Sequence, residues 1–141
     1  MIRFLENRKC KTYNLAVDFE SNKELDFVVN NFLSGDIERL DIARVAAEPG
    51  GLQKRIKVKT INFTEMLDDA QAPQFMEFLS LDTEGSEYDI LNGLDHSKYR
   101  FGYISVEHNY KEPTRTKIKE LLVSKGYTYK GPNKVDDDYI S

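Results

Sequence analysis

The stretch FLSLDTEGSEYDIL, residues 78–91, starts as an apolar run and ends with a helical period, and the pattern changes at Asp82, Glu84 and Gly85. The run from Glu77 to Leu81 is too short for a helix and is interrupted only by Ser80. It reads as a strand covered on both faces. Beyond it, Ser86 with Asp89 three residues on marks a capped helix start. Tyr88, Leu91 and Leu94, with Ile90 between them, form the buried stripe of a helix ending near Gly93 to Asp95. Gly85 lacks a Cβ, so it can turn the chain sharply from strand to helix, or let a ligand approach the backbone.

Downstream, Tyr99 to Glu107 is a second continuous apolar strand. Pro113 opens a helix over Thr114 to Lys125 whose Ile118, Leu121 and Leu122 face inward, and Gly126 sits where a left-handed cap belongs. Tyr127 to Lys130 and Val135 to Ile140 read as a hairpin across Gly131-Pro132-Asn133. Strand, helix, strand, helix, strand over residues 77–130 predicts an α/β fold: a three-layer, mostly parallel sheet with an antiparallel C-terminal hairpin. Ligands of such sheets bind beyond the carboxyl ends of the strands. Asp82 and Glu84 leave one such end, Glu107, His108 and Asn109 the next, so both groups are expected on one rim.

Upstream, Thr12 to Phe19 reads as a strand, Glu20 to Lys23 as a turn, and Leu25 to Val29 as the hairpin partner of the first strand. Residues 30–53 show no sustained period and read as a long surface loop, with a helical turn around Ile37 to Ala46, of the kind that often serves as a lid or binding segment. Lys54 to Ile61 alternates charged and apolar residues as a half-exposed strand does. Asn62 with Glu65 predicts a capped helix carrying Phe63, Met66 and Leu67 and ending near Ala70. Without repeat or linker, residues 1–141 read as a single domain.

Composition narrows the class. Hydrophobic residues make up 40% and charged residues 31%, which is a folded rather than a disordered profile. The net charge of −4, with 20 basic residues scattered along the chain, disfavours nucleic-acid binding. No apolar run is long enough to span a bilayer, and the first residues lack the core of a secretory signal, so a cytoplasmic location without membrane attachment is expected. Cys10, the single cysteine, stands among Arg8, Lys9 and Lys11 and reads as a bystander.

Other candidate residues carry competing readings. Glu87 and Asp89 lie in the first turn of a helix, where the dipole favours carboxylates. His108 reads as an ordinary loop histidine, as a general base beside a carboxylate, or as the neighbour of a magnesium or calcium ion held by Asp82, Glu107 and Asn109. A metal-dependent hydrolase built on that rim ranks last, and no metal is expected. His96 reads as a surface residue, and Asp136 to Asp138 as a solvated turn before the last strand.

The segments LSLDTEGSEYDILNGLD, YISVEHN, KIKELLVSKGY and VDDDYI, with ENRKCKTYNLAV, LSG and VKTINFTEML upstream, resemble the FkbM family of methyltransferases. The family pattern falls on Asp82, Glu84, Gly85, Glu87, Leu91, Gly93, Glu107, Gly126 and Tyr127. The resemblance implies a Rossmann-like fold and S-adenosylmethionine-dependent methyl transfer, usually to an oxygen of a small molecule or saccharide. By that analogy Asp82 and Glu84 line the pocket, Asp82 and Gly85 meet the methyl donor, and Glu107 and His108 orient or deprotonate the acceptor hydroxyl. This chain departs from the family in having no glycine before Gly35, where the family's cofactor-cradling turn belongs, and its first strand corresponds to the family's third. Cofactor binding to this chain alone is therefore expected to be weak or absent. The strand at Phe78 to Leu81 is expected to become an apolar edge covered by a partner chain, a second copy or a rearranged amino terminus. The rival reading is a non-catalytic interaction module that uses this edge for assembly.

Overall fold

The computed structural model describes residues 8–29, 34–39 and 54–141. Within them two four-stranded sheets share the chain. The first contains β1 (Ala16–Asp18), β2 (Glu24–Val29), β3 (Gly35–Asp36) and β4 (Lys54–Asn62), in the order β1-β4-β2-β3. The second contains β5 (Phe75–Leu81), β6 (Arg100–Glu107), β7 (Thr128–Asn133) and β8 (Asp136–Ile140), in the order β5-β6-β8-β7. The helices among the described residues are α1 (Phe63–Asp69), α2 (Glu87–Asn92) and α3 (Thr114–Ser124). Among the described residues no helix is long and apolar enough to cross a membrane.

The sheets are mixed rather than mostly parallel. In the first, β1 runs parallel to β4, while β2 is antiparallel to both β4 and β3. In the second, β5 and β6 are parallel, and β8 is antiparallel to both β6 and β7. Strands β5, β6 and β7 therefore point the same way, as their helical crossovers require, and β8 turns back between the last two. The first two strands do not form the expected hairpin. The nine-residue β4 has ladder groups on both sides and separates them, pairing Leu25 with Val58 on one side and Val17 with Ile61 on the other.

One core joins the helices to the second sheet. Phe63 and Leu67 of α1, Ile90 and Leu91 of α2, Phe101 and Ile104 of β6, and Ile118 and Leu122 of α3 are all buried in it. Each such side chain contributes about 1.5–3 kcal/mol relative to exposure. The alternation read in β4 holds, with Arg55, Lys57 and Lys59 outward and Thr60 buried. Asn62 caps α1 as expected, accepting from the Thr64 and Glu65 amides at 2.8 and 3.3 Å.

Several sequence expectations need correction. Strand β5 is not covered on both faces: among the described residues it is an edge paired only with β6, and Phe75 and Phe78 are 55% and 59% exposed. The C-terminal turn falls at Lys134 and Val135, not at residues 131–133, because Gly131, at φ 119°, forms an irregularity inside β7 instead of a turn. His96 is half-buried, with Nε2 2.8 Å from the Leu91 carbonyl and its ring edge against Tyr127. Most of the expected loop at 30–53 lies outside the described residues; within it, residues 34–39 hold β3 and a turn.

Candidate functional site

Because β5 and β6 are parallel and in register to Leu81↔Val106, their exits stand side by side. Asp82, Glu84 and Glu107 converge there, each offering a carboxylate oxygen within 4.8 Å of the others. Backbone geometry at both exits is unusual. Glu84 has φ 59° and Gly85 φ 126°, while Asn109 and Tyr110 have φ 42° and 57°. Left-handed non-glycine residues are held only where the surroundings fix them, and they cluster at sites.

Glu107 is pushed up to about 7, first by burial, then by the charges of Asp82 and Glu84 and a hydrogen bond with Asp82, against a smaller opposing hydrogen bond from Asn109. Like charges this close cannot all stay ionised, so Glu107 carries the proton until near neutrality. Such a carboxylate is a stronger base than an ordinary one and still ionises near physiological pH.

Two residues that the sequence reading did not assign to the site hold the acidic loop in place. Glu87, 4% exposed, accepts on Oε1 from the Thr83 amide at 2.8 Å, the Thr83 hydroxyl at 2.8 Å and the Gly85 amide at 3.2 Å. Its position in the first turn of α2 was legible, but the bonds run back to the loop instead of serving the helix end. Arg39 donates to Ser86 Oγ at 3.0 Å and to Asp18 at 3.1 and 3.3 Å, and pairs with Asp89 at 3.2 Å. The Ser86 hydroxyl accepts from Arg39 and makes no cap bond, contrary to the capped start read from sequence. Gly85 is required twice over: its φ is left-handed, and a Cβ would meet the Arg39 carbonyl at 3.0 Å. No sequence signal ties Arg39 to a loop more than forty residues downstream, since the contact exists only once the first sheet packs beside α2.

His108 lies in the same exit but faces inward, 6% exposed. Its Nδ1 accepts the Tyr110 amide at 2.9 Å, and its Nε2 lies 3.8 Å from Asp137 Oδ1. The Asp136 to Asp138 run is not a solvated turn: it begins β8, with Asp137 2% and Asp138 8% exposed. Arg115 donates to both Asp137 oxygens at 2.7 and 2.8 Å, Tyr129 donates at 2.8 Å, and Ser105 serves Asp138 at 3.0 Å. Burial pushes Asp137 up, but the hydrogen bonds from Arg115 and Tyr129, with the nearby His108, outweigh it and hold the carboxyl below its usual range.

Two cavities border the acidic cluster. The smaller, about 240 Å³, is bordered by Glu107, His108, Lys111 and Arg115. The larger, about 410 Å³, opens at Asp82 and Thr83 against the apolar face of the first sheet. Glu107 thus faces one space and Asp82 the other.

A family model described as the methyltransferase FkbM domain matches residues 3–129. No curated protein and no solved structure matches the chain. With that match spanning most of its length, including both strand exits and the loop clasped by Glu87, the chain belongs to the FkbM methyltransferase domain family.

Proposed function

We propose that the chain takes part in S-adenosylmethionine-dependent methyl transfer to a hydroxyl oxygen of a small molecule or saccharide, with β5-β6-β8-β7 as part of a Rossmann-like layered fold. The observation that carries this reading is the convergence of Asp82, Glu84 and Glu107 at parallel strand exits, with Glu107 pushed up to about 7. When bound, S-adenosylmethionine supplies an electrophilic methyl on a positively charged sulfur that leaves as a neutral thioether. Glu107 accepts the acceptor's hydroxyl proton as the new oxygen–carbon bond forms, and shares it with Asp82. Asp82 and Glu84 give the cluster the negative charge that attracts a cationic centre. His108 fixes the Asn109–Tyr110 turn through its Nδ1 and so orients the Glu107 exit.

The residues fit the sulfonium end of such a donor by charge. They do not form a cradle for its carboxylate end, because the Thr83 and Gly85 amides already donate to Glu87. Asp82 and Gly85 therefore contribute to donor binding through the carboxylate and the turn, not through free amides.

Calorimetry of the chain with S-adenosylmethionine tests the reading. Micromolar binding, with transfer that rises as pH passes 7 and is lost in Glu107→Gln, supports it. No heat at millimolar donor overturns it for this chain.

The exposed β5 edge favours a second reading, an assembly module in which a partner chain or second copy covers Phe75 and Phe78. A concentration-independent monomer in light scattering, with Phe78→Ser unchanged in solubility, removes assembly through a second copy.

A further inference from the structure

Resting on the methyl-transfer reading, we infer that the larger cavity is the acceptor pocket and that it selects a compact apolar alcohol over a polyhydroxylated saccharide. Its volume, about 410 Å³, lies in the range of small-molecule sites. Its floor is the half-buried face of β2 and β4, formed by Leu25, Phe27, Ile56 and Val58. These alternate positions share one side of paired strands, with Leu25 opposite Val58 and Phe27 opposite Ile56.

Several polar side chains around this floor already have partners within the protein. Asp36 accepts from the Glu38 amide, Ser86 accepts from Arg39, the Thr83 hydroxyl donates to Glu87, and Tyr13 donates to Asp69. Besides these and Ser34, an incoming ligand meets hydrocarbon, the exposed Asn14 and the Asp82 carboxylate at the border with the acidic cluster. One hydroxyl can reach Asp82, and through it the proton-accepting Glu107. A saccharide brings several more hydroxyls; those set against Leu25, Phe27, Ile56 and Val58 would lose water without gaining partners, and each unpaired polar group lowers affinity by roughly tenfold or more.

A nitrogen-15 NMR titration of the full chain, without methyl donor, tests the pocket with benzyl alcohol and with methyl glucoside. Benzyl alcohol is expected to shift the amides of Phe27, Ile56, Val58 and Thr83. Methyl glucoside at tenfold higher concentration should leave them in place. Leu15, 37% exposed at the rim of the cavity, can be changed without disturbing the core, and Leu15→Ser should weaken the alcohol at least threefold. Equal shifts from the glucoside, or alcohol shifts confined to Phe75 and Phe78 on the β5 edge, overturn the assignment. Because no donor is present, failed methyl transfer leaves this result standing, and alcohol bound elsewhere leaves the transfer reading intact.

Discussion

Two acidic groups flank strand β6 and have opposite fates. At its carboxyl end, Glu107 shares a rim with Asp82 and Glu84 and is pushed up to about 7. On the neighbouring β8, Asp137 is more deeply buried yet is held below the usual carboxylate range by Arg115 and Tyr129. Burial acts in the same direction at both; the partners differ. A buried carboxylate clasped by a bidentate arginine is a structural element, whereas a cluster of like charges at strand exits keeps a proton in play near neutral pH.

The largest effect expected from breaking this contrast is at the paired site. Asp137→Ala leaves Arg115 and Tyr129 without their shared acceptor and should cost about 3–5 kcal/mol in urea unfolding. A loss below about 1 kcal/mol would mean that the clasp contributes little. Glu87→Ala removes the acceptor of three hydrogen bonds in the acidic loop and should cost about 2 kcal/mol, with Gln, which keeps the oxygen, recovering most of it.

The rim should respond through pH. Folded Glu107 holds its proton to about 7 against an ordinary value of 4.5, so its contribution to stability is full below 4.5 and is lost as pH rises through 7. Glu107→Gln should remove that slope and melt about 3 °C above wild type at pH 8. An unchanged slope would show that another group titrates there. The smallest effect sharpens the cause. Since burial is the largest contributor and Asp82 comes next, Asp82→Asn should lower the Glu107 titration seen by carboxyl carbon NMR while leaving it above 4.5.

Much of this is legible in the sequence. The short apolar runs at 77–81 and 99–107, with amphipathic periods between and after them, prescribe two like-pointing strands with crossover helices, and therefore Asp82, Glu84 and Glu107 on one rim. Local pattern suffices because strand and helix periods are set by the backbone itself. The separation of β1 from β2 by β4 was not readable, since either neighbour satisfies the same alternation. The burial of Asp137 was hidden too, because an acidic run reads as solvated until a particular arginine is known to reach it.

By itself, the sequence determined the family, the parallel pair β5–β6 and the acidic character of its exits, all properties of residues close in the chain. Only the tertiary structure decided which carboxylates are neutralised, that Arg39 and Glu87 hold the loop, and that an apolar cavity opens at Asp82. Those outcomes depend on contacts between residues tens of positions apart, and charge and desolvation act through distance in space, not along the chain.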